Sequence, residues 1–356
     1  MVKDLFNPVN NGATVTPGTI ANSRDLRGTD LSAFIDDRVW IADTLSLNFG
    51  LRYQNYRSRS EQLTFAATPT TVFTCNGVAQ IGGTCFETRK SKNNIFSPKA
   101  SVIWEPSDDV STYLTYSKAS IPQGNAIGGG DTLSSITLGG TISRSDLPPE
   151  TTETFDAGVK LSLFGDRMLV QSSIYQINRN NATVADPSTG FVQYSAEPKQ
   201  RLRGFELGLS GGITPELRLS ANYAYIDATI REAFTGTTGT GAVVVNTAVL
   251  GNQVRYVPKH AASVWTAYSA ADGMLKGLQL GGGLTYQSKV FLNPENTQVS
   301  PSYVSYDALV AYTFGSFRVA VNGYNLSDKR FYSQVNGGRV VPAAGRSFVA
   351  SLGIAF

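Results

Sequence analysis

The chain ends Phe348-Val349-Ala350-Ser351-Leu352-Gly353-Ile354-Ala355-Phe356, and positions 348, 350, 352, 354 and 356 form one apolar row. Successive side chains of a strand point to opposite faces, so this stretch predicts a β-strand with one oily face and one small or polar face. Similar rows recur back to Leu31. Leu45, Leu47, Phe49, Leu51 and Tyr53 alternate with Ser46, Asn48, Gly50, Arg52 and Gln54. Such strands suit a sheet that meets lipid on one side and water on the other.

The bulk composition agrees. The 356 residues keep a uniform texture after residue 30, which favours one large all-β unit over two ordinary domains. Charged residues make up 16% of the chain, below the roughly 25% of a soluble domain, while Gly (35), Tyr (16) and Phe (18) are abundant. A net charge of +3, spread along the chain, gives no basis for a nucleic-acid partner. The long uncharged stretch 233–254 is broken throughout by Thr, Gly and Asn, so no helical span is expected. Residues 1–8 contain no apolar leader core, and the natural N-terminus is expected further upstream.

Alternating runs bounded by turn residues predict about thirteen strands. They fall near 31–42, 45–58, 95–105, 110–119, 153–164, 168–185, 191–211, 217–230, 259–270, 278–287, 303–314, 317–325 and 347–356. The connections alternate. Short turns such as 42–44, 164–167 and 315–316 are separated by the long segments 59–94, 120–152, 231–258, 288–302 and 326–346, with 186–190 the one short member of that set. Short turns on one side and long loops on the other mark an outer-membrane barrel, with the short turns in the periplasm. A soluble sandwich also alternates; the long strands, one-sided loops and aromatics at strand ends choose the barrel. The expected fold is therefore an all-β, transmembrane antiparallel β-barrel over 31–356, with 1–30 as an extracellular loop or irregular lead-in. An odd strand count and two open edges imply that further strands belong to the barrel.

Chemistry-bearing residues are sparse. Cys75 and Cys85 lie in a polar, Gly-rich segment without a nearby histidine, so a loop-stapling disulfide in an oxidising compartment is expected, with two free thiols as the alternative. His260 is the one histidine, which excludes a multi-histidine metal site and reads as a rim or girdle residue. Asp108, Asp109 and Glu232 fall in turns or loops without a spacing that suggests acid–base work. Gly281-Gly282-Gly283 lies inside a strand, where it permits close approach or curvature. No enzyme activity is expected.

Four stretches carry a family resemblance: 147–160 (LPPETTETFDAGVK), 257–265 (VPKHAASVW), 325–332 (NLSDKRFY) and 342–348 (PAAGRSF). In this order, and followed by a final Phe, they resemble the C-terminal half of TonB-dependent outer-membrane receptors, most of all siderophore receptors of the ferric-catecholate kind. The resemblance implies a barrel of about 22 strands with a plugged lumen. On that resemblance the predicted strands match the last thirteen of the barrel, and the plug and the TonB-contacting segment would precede them in the parent protein. It further implies a receptor that binds a ferric siderophore as transported ligand, uses no cofactor of its own, and imports the ligand with energy passed on by TonB. A passive porin-like barrel or an adhesin is the alternative, and an outer-membrane lipase or protease is a more distant one.

Capture of a bulky, anionic iron complex calls for cations and aromatics on the outer loops. The last loop offers Lys329, Arg330, Arg339 and Arg346 with Phe331 and Tyr332 interleaved; Arg144, Arg255, Tyr256 and Lys289 are further rim choices. Basic residues near a bilayer rim equally suit outer-membrane lipid and lipopolysaccharide.

Overall fold

The computed structural model describes residues 22–65, 72–75, 78–122, 149–180, 182–186, 193–197, 199–232, 234–237, 243–246, 249–336 and 339–355. Its frame is one 13-stranded sheet in which every strand pairs antiparallel with its sequence neighbours in the sheet. The strands are β1 (Asn22–Ala42), β2 (Leu45–Phe65), β3 (Thr84–Ser107), β4 (Val110–Ile121), β5 (Glu150–Leu163), β6 (Met168–Asn180) and β7 (Gln200–Gly212). They continue with β8 (Leu217–Ile230), β9 (His260–Ser269), β10 (Leu278–Gln287), β11 (Tyr303–Phe314), β12 (Phe317–Tyr324) and β13 (Ser347–Ile354). Among the described residues no helix is long and apolar enough to cross a membrane, which says nothing of strands.

Register turns the sequence rows into faces, because directly opposed residues share a side of the sheet. Leu47, Leu51 and Tyr53 of β2 stand opposite Val39, Ile35 and Ala33 of β1, and opposite Val102, Pro98 and Phe96 of β3. At the other end Phe348, Ala350, Leu352 and Ile354 of β13 face Gly323, Val321, Val319 and Phe317 of β12. Val321 and Val319 in turn face Val310 and Tyr312 of β11. The large side chains of the last strand are bare of protein: Phe348 is 64% and Leu352 68% exposed. Asp37 interrupts the apolar face opposite Phe49, and its Oδ1 accepts the Arg38 amide at 2.9 Å. On the opposite face Ser46 and Ser101 are buried, as are Ala311 and Ala320.

The outward row of β3 covers most of the apolar band of an outer-membrane barrel, which is about 25 Å tall. From Trp104 to Phe96 on β3 the outward row covers eight residue steps, about 26 Å of strand at ~3.3 Å each, or about 20 Å after the usual tilt. Aromatics mark both limits: Trp104, Tyr268 and Tyr312 near the short turns, Tyr53, Phe96 and Tyr286 towards the long connections. The short turns use left-handed backbone. Phe164, Gly165 and Asp166 have φ of 58°, 63° and 61°, and the Arg167 side chain closes their turn by donating to the Phe164 carbonyl at 2.9 Å. Five small two-stranded sheets among the described residues all lie in the long connections.

Where the sequence reading and the structure differ, polarity is the reason. β1 begins at Asn22, so residues 22–30, expected as irregular lead-in, already form strand. The segment expected as a loop over 59–94 is largely strand: β2 runs on to Phe65 and β3 starts at Thr84, with a small hairpin of Val72–Cys75 and Val78–Ile81 between them. Here both faces are polar, and hydrophobic alternation has nothing to report. The expected strands 168–185 and 191–211 divide into β6 and β7 plus a separate hairpin of Ala182–Asp186 with Gln193–Glu197.

Candidate functional site: the outer rim and inner wall

The outer rim is built by loops that bind one another. The segment after β8 folds against the one after β10: the Gln253 amide donates to Asn296 Oδ1 and Asn296 Nδ2 to the Gln253 carbonyl, each at 2.9 Å. Tyr256, held at a φ of 65°, donates its amide to the Phe291 carbonyl at 2.8 Å. This lock brings Arg255, Tyr256 and Lys289 into one neighbourhood. The Arg255 guanidinium lies 5.4 Å from the Tyr256 ring centre, and the Lys289 ammonium 5.3 Å from that of Phe291. Arg255 is buried, whereas Lys289 is exposed.

The last loop is organised by Asn325. Its φ of 47° places it in the left-handed region. Its Nδ2 donates to the carbonyls of Lys329 (2.9 Å) and Ala344 (3.1 Å), and its Oδ1 accepts the Lys329 amide at 2.9 Å. Asp328 Oδ1 accepts the Arg346 amide at 2.9 Å. The Asn325–Lys329 bonds close a local turn, whereas Asp328 ties the start of the loop to its end at Arg346. Phe331 stacks on Tyr303 at 4.1 Å between ring centres, leaving Arg330 and Tyr332 exposed. Arg144 lies outside the described residues. The backbone of Arg339 pairs with Asn336 in the hairpin of Tyr332–Asn336 with Arg339–Pro342, and its side chain is not among those described.

His260 opens β9 on the outward face, where its Nδ1 lies 2.9 Å from the Tyr223 hydroxyl and its ring contacts those of Tyr223 and Tyr225. That is a girdle position. Among the described residues there is no group of three or more His, Cys, Asp or Glu side chains able to hold a metal ion. Cys85 is buried and disulfide-bonded.

Sequence reasoning placed ligand contacts on the loops alone and missed the inner wall. There β4 to β11 enclose a groove of about 500 Å³ lined by Tyr113, Asp156, Lys160, Glu206, Asn222 and Tyr303 among others. One oxygen of Asp156 is buried there without a hydrogen-bond partner. Glycines make room for the large rings: a Cβ on Gly158 would stand 2.6 Å from the Tyr113 ring, and one on Gly281 2.8 Å from that of Trp265. The polar members of the alternating rows carried this signal, because the positions opposite an oily face line whatever the sheet encloses.

An antiparallel meander with an outward apolar belt, a polar inner wall and loops gathered at one rim defines a β-barrel protein of the outer membrane. The β-barrel of TonB dependent receptor-like proteins matches residues 2–326, and the chain belongs to that family. It is 28% identical over 324 residues to the probable TonB-dependent siderophore receptor PiuA of Acinetobacter baumannii, covering 90% of this chain and 40% of the relative. It is 24% identical to the catecholate siderophore receptor Fiu of Escherichia coli K12, covering 97% and 44%. The crystal structure of the A. baumannii receptor superposes with a TM-score of 0.76 at 27% identity, over 93% of this chain and 44% of that one. The chain thus spans less than half the length of the relatives it matches.

Proposed function

We propose that this chain is part of an outer-membrane receptor that captures a ferric siderophore at its rim and admits it with energy delivered by TonB. One observation carries the reading: a receptor-family β-barrel match over nearly the whole chain coincides with a rim where cations and aromatic rings gather on the long-loop side. The names of the relatives support it, since they include a ferrioxamine B receptor of Salmonella typhimurium besides the two siderophore receptors above. The TonB contact belongs, in this proposal, to the part of the relatives that the chain does not cover. Nothing observed favours a passive pore, an adhesin or an enzyme.

Tyr256, Lys289, Arg330 and Tyr332 form the proposed capture surface, joined by Arg144 and Arg339, and the buried Arg255 guanidinium, 5.4 Å from the Tyr256 ring centre, adds positive charge behind it. Arg supplies paired donors to oxygen-rich ligands and the rings supply flat contact area. We also propose Cys75 as the partner of Cys85, since the chain has 2 cysteines. Transport is tested by uptake of radioactive iron as a panel of ferric siderophores, in cells whose own receptor gene is deleted and then restored. Loss on deletion, recovery on restoration and abolition without TonB are expected. Unchanged uptake of every siderophore in the deletion strain would refute the function while leaving the barrel intact.

A further inference from the structure

β1 puts a carboxylate into the lipid-facing row. Its outward residues Leu31, Ala33, Ile35, Asp37 and Val39 stand in register with Asn55, Tyr53, Leu51, Phe49 and Leu47 of β2. The outward rows from Leu45 to Tyr53, from Phe96 to Trp104, from Leu278 to Tyr286 and from Val304 to Phe314 hold no charged residue. Asp37 is opposite the midpoint of the first of these rows, four residue steps, or about 10 Å after tilt, from either end. It is exposed. An ionisable side chain at such a depth is costly and is retained where it has a partner.

Backbone hydrogen bonds fix the direction in which this carboxylate leans. The Glu105 amide of β3 donates to the Thr44 carbonyl at 2.7 Å. Within one trans peptide the Thr44 carbonyl and the Leu45 amide point in opposite directions, so Leu45, Leu47 and Phe49 turn their backbone groups to β1. Ser46 and Asn48 turn theirs to β3. Arg38, opposite Asn48, therefore points its amide away from β2 and over the other edge of β1. That edge is unpaired among the described residues, and there the Arg38 amide donates to Asp37 Oδ1 at 2.9 Å. A strand laid along the edge claims the same amide for its ladder and frees the carboxylate. By the same alternation Asp37 then joins a non-hydrogen-bonded pair, the kind whose side chains lie closer, with about 4.5 Å between Cα atoms.

We infer that Asp37 forms an ion pair inside the membrane with a lysine or arginine on the outward face of the strand that pairs with the free edge of β1. The carboxylate leans along the sheet, towards an edge whose amides and carbonyls need partners in lipid, so a neighbouring strand and not a separate protein supplies the cation. The pair also sets register. Sliding that strand by one residue would turn its cation into the lumen and leave Asp37 alone in lipid. The inference rests on the barrel in its membrane and is independent of which ligand is carried.

The test uses the receptor purified from outer membranes and reconstituted in liposomes, with the folded fraction read by heat-dependent gel mobility across a urea series. Asp37→Leu is expected to lower the folded-to-unfolded ratio at least about tenfold, because it leaves the cation unpaired. A carboxylate without a partner would give the opposite sign, since leucine suits lipid better than aspartate. Asp37→Glu should retain the wild-type ratio. Replacing the partner cation by Leu should lower the ratio about as far as Asp37→Leu does, and the two changes together should recover most of the loss. Asp37→Cys should cross-link on mild oxidation to a cysteine placed at the cation's position and not to a second copy of itself. An adjoining strand without Lys or Arg in its outward row would overturn the inference. So would a gain or no change in Asp37→Leu, losses that simply add in the double variant, or a cross-linked dimer.

Discussion

Single residues set the local tolerances of this sheet. Gly204 on the inner wall has no space for a side chain: a Cβ there would stand 2.6 Å from the Tyr225 backbone oxygen as well as against the Tyr175 ring. Gly204→Ala is expected to destabilise the folded barrel by about 1–3 kcal/mol. Gly208→Ala, whose added Cβ meets the flexible Gln171 side chain at 3.2 Å, should cost less; urea unfolding in detergent separates the two. Tyr56 stands above the apolar belt, where burial first and the Asp30 carboxylate second raise its phenol pKa. The unfolded phenol ionises near pH 10 and the folded one only at higher pH. Stability is therefore intact below about pH 10 and falls as the pH rises beyond it. Tyr56→Phe should remove part of that alkaline loss, measured as the pH dependence of the unfolding midpoint. At the cysteines, thiol labelling of the unreduced, denatured chain should modify neither residue, and labelling should become complete after reduction; a loop of this size makes the bond worth about 2–3 kcal/mol.

Elements differ in how plainly they announce themselves. β13 and β2 were legible because each puts every second side chain into lipid, and that requirement writes a period of two into the sequence. The outer halves of β2 and β3 were not, because above the membrane both faces meet water and polar residues serve on either. The same rule gives a directional prediction for a strand centre. Val264 of β9 lies outward between Ala221 and Leu284, whereas Ser263 next to it lines the inner groove. Val264→Arg is expected to cost about 2–4 kcal/mol of folding stability in a bilayer. Ser263→Arg, facing the lumen, should cost markedly less, as read by unfolding in liposomes. Equal costs would assign the wrong face to lipid.

At the scale of the molecule, the unpaired edges and the exposed belt govern behaviour. β1 and β13 each pair with one strand alone among the described residues, and unsatisfied backbone groups in lipid cost several kcal/mol each. The folded protein is expected to stay monodisperse only in detergent or lipid, and to precipitate when detergent is removed; light scattering during dialysis reads this directly.

Sequence alone determined the number of membrane strands, their order, the side on which the long loops lie and the oily face, since each follows from alternation and turn chemistry along a local stretch. Tertiary structure decided which distant residues meet. The lock between Gln253 and Asn296 and the groove running from Tyr113 to Tyr303 depend on strand register and loop packing. Those pairings join residues dozens of positions apart, and no local pattern records them.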